Sequence, residues 1–241
     1  MFYEKTMTEL LWNGIRMTDG GFRLGTDSVL LAHFAQFPPR SYIADLGAGC
    51  GTLGLLLCAS DPQVRVVGVE LDESAHRAAL ENIRENALEK RLRSILGDVR
   101  EIKTLLPAGS FDCVIANPPY FPAGSGKKSS RSALARSEET LPLAALCKAA
   151  AWLLPCGGRF ALVHRPERLC DLFCAMRGSG IEPKRVQFVR HRPDAPVCLV
   201  MVEGRRGGAA GLRFEADLVE FTEDGAETEA YRAAYHRGEN E

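Results

Sequence analysis

Four consecutive residues, Asn117-Pro118-Pro119-Tyr120, follow a short apolar run and carry the groups needed to hold a planar nitrogen. The lone pair of an exocyclic amino or amide nitrogen is delocalised into a ring or carbonyl, so that nitrogen is a poor nucleophile. An asparagine side-chain oxygen and a proline carbonyl can each accept one of its N–H groups and turn the lone pair in line with the bond to a transferable methyl group. In this reading Asn117 and Pro118 supply the acceptors, Pro119 stiffens the turn, and Tyr120 offers a face on which a planar base stacks. No general base with a shifted pKa is required, since the proton can leave after transfer. The same four residues are also ordinary turn chemistry with Tyr120 as core filling, and only their placement separates the two readings.

A second constellation lies upstream. Asp45-Leu46-Gly47-Ala48-Gly49-Cys50-Gly51 closes one apolar run, Glu70 closes the next and Asp98 the one after. Glycines leave backbone amides open at the start of a helix, where a flat or polar ligand docks. Glu70, nineteen residues after Gly51, has the spacing at which a carboxylate accepts both hydroxyls of a ribose, and Asp98 is set to meet an adenine or its amino group. Each acid alone is equally a helix cap or a surface charge. Three strand-end signals in register point instead to a nucleoside-containing ligand.

Gly49-Cys50-Gly51-Thr52-Leu53-Gly54 also satisfies G-x-G-x-x-G, which leaves a nicotinamide dinucleotide formally open. Asp45 argues against it, because an acid just before the first glycine repels a pyrophosphate and suits a ligand with a cationic sulfonium and an α-ammonium group. S-adenosylmethionine has both. A P-loop is excluded, since Gly126-Lys127-Lys128 has no glycine five residues before Gly126 and no Ser or Thr after the lysine. There is no G-x-S-x-G to support an acyl-serine hydrolase.

The elements that must position these residues alternate. Apolar or β-branched runs at 42–46, 64–70, 92–96, 111–116 and 158–164 predict strands. Leu53, Leu55, Leu56 and Leu57 predict a buried helix after the glycines, and helical spacing predicts further helices over 73–86, 141–153 and 166–177. Two extended runs, 185–190 and 196–203, are separated by a turn too short for a helical crossover and predict an antiparallel hairpin. The expected fold is α/β: a mostly parallel sheet with helices on both faces, the hairpin adding an antiparallel strand at or near one edge. Residues 1–40, with Asn13-Gly14 and Asp19-Gly20-Gly21 turns before a helix over 27–36, read as an N-terminal cap, 41–214 as the main domain and 215–241 as a tail.

The chain has 241 residues, 46% hydrophobic and 25% charged, which excludes disorder as the main state. No apolar run approaches the ~20 residues of a membrane span, and the first residues lack a secretion signal, so a cytosolic protein is expected. The net charge of −1 conceals an asymmetry: residues 215–241 hold nine acids against two arginines, and the remainder 28 basic against 22 acidic residues. Within the body, Lys127, Lys128, Arg131 and Arg136 form one basic run and Lys184, Arg185, Arg190 and Arg192 another. Such runs can neutralise phosphates or simply be solvated surface. The eight cysteines contain no C-x-x-C pair and read as small core hydrophobes. Cys170 and Cys174, one helical turn apart, lack the companions of a metal site, and no metal is expected.

Together these motifs resemble class I S-adenosylmethionine-dependent methyltransferases with an Asn-Pro-Pro-Tyr motif, over about residues 41–204. The resemblance implies a Rossmann-like seven-stranded sheet with a terminal antiparallel hairpin. It implies that Asp45, Gly47, Gly49 and Gly51 line the methionine end of the cofactor, that Glu70 with Leu71 holds the ribose, and that Asp98 with Val99 holds the adenine. It implies that Asn117 to Tyr120 hold the target amino group. Gly21-Phe22-Arg23-Leu24-Gly25-Thr26-Asp27-Ser28-Val29-Leu30-Leu31-Ala32, and Glu223-Asp224-Gly225 followed by Thr228-Glu229 and Tyr231 or Tyr235, are similar to segments of the bacterial tRNA1(Val) adenine-N6-methyltransferase family.

That closer resemblance implies adenine-N6 methylation of RNA, most of all tRNA. Thr26 and Asp27 would lie near the methionine group, although either residue would equally serve as a helix N-cap. Lys127, Lys128, Arg131 and Arg136 would lie on RNA phosphates, with the acidic tail away from the RNA. One departure stands: Arg136-Ser137-Glu138 replaces the Arg-His-Glu common in relatives. The motif is shared with guanine-N2 and protein-glutamine methyltransferases, and a cofactor-binding module without turnover is the non-enzymatic alternative. The oligomeric state stays open.

Overall fold

The structure is a computed structural model and describes residues 8–18, 24–118 and 141–236. It opens with an antiparallel hairpin of β1 (Thr8–Leu10) and β2 (Arg16–Thr18), joined by a 3-10 turn at Trp12–Gly14. The sequence reading gives this segment turns but no strands, because three residues are too few to display a period of two. Helix α1 (Thr26–Phe34) follows. Strands and helices then alternate: β3 (Tyr42–Leu46), α2 (Thr52–Ser60), β4 (Arg65–Glu70), α3 (Glu73–Glu85), β5 (Leu92–Leu96) and α4 (Ile102–Leu105). After them come β6 (Cys113–Ala116), α5 (Leu143–Leu153), β7 (Arg159–His164) and α6 (Leu169–Gly178). The long strands β8 (Ile181–Arg190) and β9 (Val197–Arg206), two-residue strands β10 (Arg213–Phe214) and β11 (Leu218–Val219), and helix α7 (Glu229–Ala234) complete the described chain.

The main sheet runs β10-β8-β9-β7-β6-β3-β4-β5, with β11 also on β8. The seven expected strands are all there, and β10 and β11 bring the total to nine. Both extra strands pair parallel with the outer side of β8 and are too short to leave a pattern in sequence. The antiparallel strand β9 lies one place in from β8, between β8 and β7. Strand β8 starts at Ile181, four residues before the expected start, and so takes in Pro183. A register shift between Pro183 and Arg185 absorbs the missing N–H, and the outer pairing with β10 begins only at Arg185.

Alternation along the strands sorts the core into two faces. Ile43, Val66 and Ile115 pack with α1, α2 and the hairpin on one face; Ala44, Val67 and Val114 pack with α5 and α6 on the other. Cys50, Cys58, Cys113 and Cys147 are buried as expected. Cys156, Cys170 and Cys174 are exposed, which corrects the reading of the cysteines as core: α6 buries only Leu172 and Met176, and both of its cysteines fall on the solvent side. Among the described residues no helix is long and apolar enough to cross a membrane.

The strand order opens a crevice at one edge of the sheet. Strand β3 has parallel neighbours β4 and β6, so the chain leaves β3 toward β4 and β5 on one side and returns through β6 and β7 on the other. The loops after β3 and β6 therefore diverge and leave a crevice at the carboxyl ends of the strands, the place where open α/β sheets bind ligands.

Candidate functional site at the carboxyl edge of the sheet

The glycine turn rises from β3 into this crevice. Gly47, Gly49 and Gly51 have φ of 79°, 58° and 86°, a left-handed backbone that other residues adopt at a cost. A Cβ at Gly47 or Gly49 would meet no protein atom within 4 Å, so the positive φ, and not packing against the rest of the protein, calls for glycine at these two positions. The turn is fastened to β4: Val69 carbonyl accepts from Gly47 N–H (2.9 Å) and Ala48 N–H (3.1 Å). Glu70 Oε2 accepts from Gly49 N–H at 2.7 Å and its Oε1 from Asp72 N–H at 2.8 Å. Each carboxylate oxygen keeps lone-pair capacity for a further donor such as a ribose hydroxyl. Asn82, fully buried on α3, donates from Nδ2 to the Cys50 carbonyl (3.0 Å) and to the Thr18 carbonyl (3.0 Å), while its Oδ1 accepts from Thr18 N–H (2.8 Å). This single amide ties the glycine turn to the N-terminal hairpin.

Asp45 lies beneath the turn, on the same sheet face as Ile43. It is 1% exposed, and neither carboxylate oxygen has a hydrogen-bond partner among the described residues. Burial, and secondarily the nearby Glu70 charge, push its pKa up to about 8. Asp98, at the exit of β5, is handled in the opposite way. It caps the 3-10 turn at Val99–Glu101 by accepting from Arg100 N–H (2.8 Å), and the Arg100 guanidinium grips both of its oxygens. The hydrogen bond from the Arg100 side chain holds its carboxyl below the usual range. Any adenine amino group reaching Asp98 competes with Arg100. Val99 is buried in the core on the α5 and α6 side of the sheet, and Leu71, beside Glu70, is 47% exposed.

Asp45 pairs with Ile115 across β3 and β6, so Gly47 and Asn117 each stand two residues farther along neighbouring strands, with strand axes about 4.8 Å apart. Asn117 thus emerges beside the glycine turn. Its Nδ2 donates to Ser28 Oγ at 2.9 Å, and Pro118 is buried. Ser28 is itself buried in the first turn of α1, where its N–H is taken by Asp27 Oδ1 (2.8 Å) and the Gly25 carbonyl (3.1 Å). The N-cap of α1 is Gly25, not Thr26 or Asp27. Thr26 Oγ1 accepts from Tyr235 Oη (3.2 Å), which brings the C-terminal helix onto the start of α1. Sequence reasoning missed Ser28 and Asn82 as parts of this edge. Their partners lie 89 and 64 residues away, beyond the reach of any local pattern.

Pro119, Tyr120, Lys127, Lys128, Arg131, Arg136, Ser137 and Glu138 lie outside the described residues, as do Gly21, Phe22 and Arg23. The second basic run is corrected. Lys184 donates to the Ala209 carbonyl, Arg185 is buried against Glu203 and Glu215, and Arg190 pairs with Asp217 at 2.7 Å. The tail that carries Glu215 and Asp217 runs alongside β8 and neutralises it, leaving Arg192 as an exposed remainder.

The fold is that of an α/β methyltransferase. The model of the methyltransferase small domain matches residues 20–170. A curated relative from Porphyromonas gingivalis, tRNA1(Val) (adenine(37)-N6)-methyltransferase, is 32% identical over 202 residues, 81% of this chain and 79% of the relative. Among solved structures, a predicted O-methyltransferase from Agrobacterium tumefaciens superposes with a TM-score of 0.73 at 23% identity, covering 87% of this chain and 95% of its own. Geranyl diphosphate C-methyltransferase from Streptomyces coelicolor, solved with S-adenosyl-L-homocysteine, has a TM-score of 0.54 at 15% identity, covering 73% of this chain and 78% of its own. The chain belongs to the methyltransferase small domain family and to the family of the tRNA1(Val) (adenine(37)-N6)-methyltransferases.

Proposed function

We propose that this protein transfers a methyl group from S-adenosylmethionine to the exocyclic N6 of adenine in RNA, with tRNA as the principal substrate, in the cytoplasm. The observation that carries the reading is the meeting of two motifs at one switch point: the glycine turn beside a buried carboxylate with no partner among the described residues, and Asn117-Pro118 at the end of the adjoining strand. The first fits the cofactor chemically. A buried acid without donors is satisfied by a ligand that brings a positive charge and N–H groups together, as an α-ammonium does.

In this reading Asp45, Thr26 and Asp27 face the methionine group and Gly47, Gly49 and Gly51 give the cofactor close backbone approach. Glu70, with Leu71 beside it, accepts the ribose hydroxyls, and Asp98 with Val99 holds the adenine. The cofactor, when bound, supplies a methyl group activated by positive sulfur. Asn117 Oδ1 and the Pro118 carbonyl accept the two N–H bonds of the target amino group and stabilise the positive charge that develops on it. Pro119 holds that carbonyl in place, Tyr120 stacks on the extruded base, and the proton departs after transfer. Lys127, Lys128, Arg131 and Arg136 take phosphates, while residues 1–40 cap a methyltransferase domain of 41–214 and 215–241 form the tail.

The test is transfer of labelled methyl groups into total tRNA, oligoribonucleotides, ribosomal RNA and a protein extract, with the products read by nucleoside mass spectrometry. The reading expects N6-methyladenosine in tRNA. Its absence from every RNA pool overturns the reading, and label in protein moves the assignment to glutamine.

A further inference from the structure

We propose that Ser28 is a positioning residue for Asn117, setting which end of the Asn117 amide faces the acceptor nitrogen. This rests on the functional reading above. A carboxamide has two ends of nearly the same shape and opposite polarity: Oδ1 accepts hydrogen bonds and Nδ2 donates them. Only one orientation accepts the N–H groups of a target amine; the other opposes donor to donor. The backbone cannot make that choice. Pro118 restrains the main chain after Asn117, but the terminal torsion of an asparagine side chain is broad and roughly two-fold.

The choice is made across 89 residues of sequence. Ser28 Oγ accepts from Asn117 Nδ2 at 2.9 Å, which sends Oδ1 to the opposite side. Ser28 is a suitable fixed point because it is 7% exposed and its own N–H is held by Asp27 Oδ1 and the Gly25 carbonyl. Its helix is also tethered at the first turn through Thr26 to Tyr235. The N-terminal cap thereby reaches the reacting centre through one hydroxyl without touching the reacting atoms.

Ser28→Ala tests the pairing in the full-length protein, since alanine keeps the helix. Expected is a fall in kcat of about tenfold, the worth of one lost orienting hydrogen bond, with unchanged S-adenosylhomocysteine affinity and unchanged Tm. In parallel, the Asn117 side-chain amide is followed by 15N NMR, assigned through Asn117→Asp. Its Nδ2 protons are expected to exchange slowly in the wild type and to shift and exchange faster in Ser28→Ala. An unaltered kcat overturns the proposal, and so does a loss of cofactor affinity that parallels the loss of turnover. If the wild type leaves adenine unmethylated in every RNA, the functional reading falls by itself. The amide signals then judge the pairing, and signals identical in Ser28→Ala and wild type overturn it.

Discussion

Asp45 and Asn117 stand one strand and two residues apart at the same sheet edge, and the fold treats their polar ends in opposite ways. Asp45 is buried with no hydrogen-bond donor among the described residues and with its charge suppressed. Asn117 is partly exposed and already engaged by Ser28. The surroundings differ as well. The turn over Asp45 is built from one contiguous β-α-β stretch, with Val69 and Glu70 fastening Gly47 to Gly49. Asn117 depends on α1, which in turn is steadied by α7 at the far end of the chain. The comparison teaches that one half of this edge is a local unit built around an unmet electrostatic demand, whereas the other is assembled from remote segments and has its orientation set in advance.

Asp45→Asn breaks the first half and carries the largest expected effect. The folded-state pKa of Asp45 lies at about 8, above the unfolded value. The wild type therefore has its full stability below the unfolded carboxylate pKa and loses it as pH rises toward 8, because the unfolded chain gives up a proton that the folded chain retains. The asparagine variant lacks this loss. Chemical denaturation at pH 5, 6, 7 and 8 should show the variant gaining on the ligand-free wild type by about 1.4 kcal/mol per pH unit, on the order of 4 kcal/mol across the range. Parallel stability curves would show that Asp45 is not carrying a suppressed charge.

Asn82→Ala sharpens the comparison from the side of the turn. It removes a fully buried side chain and takes their partner from the buried Cys50 carbonyl and from the half-buried Thr18 N–H and carbonyl. A loss of about 2–3 kcal/mol in urea denaturation is expected, together with weaker cofactor binding as the turn loosens. An effect under about 0.5 kcal/mol would mean that the turn holds itself, as a surface substitution would suggest.

What could be read from the sequence follows the same division. The glycine turn, Asp45 and Glu70 are legible because Val69 and Glu70, which fasten Gly47 to Gly49, end the very next strand and the motif repeats the βαβ unit that creates it. Asn117-Pro118 is legible as a strand end because proline stops the ladder. The Ser28 contact is not, since it depends on how a cap helix packs over β6. The basic run at Lys184 to Arg190 misleads for a similar reason: the acids that neutralise it arrive on β10, β11 and their flanks, some thirty residues later, on strands too short to announce themselves. Asp98 is legible as a strand-end acid, but its engagement by Arg100 arises from a turn of three residues that carries no periodic signal.

The most direct test of the two-part edge measures S-adenosylhomocysteine affinity by calorimetry and methyl transfer to tRNA on the same preparations of wild type and Asn117→Ala. The account predicts that Asn117→Ala keeps cofactor affinity within about twofold while turnover falls about a hundredfold or more. Turnover near the wild-type level, or cofactor affinity and turnover lost together, would contradict it.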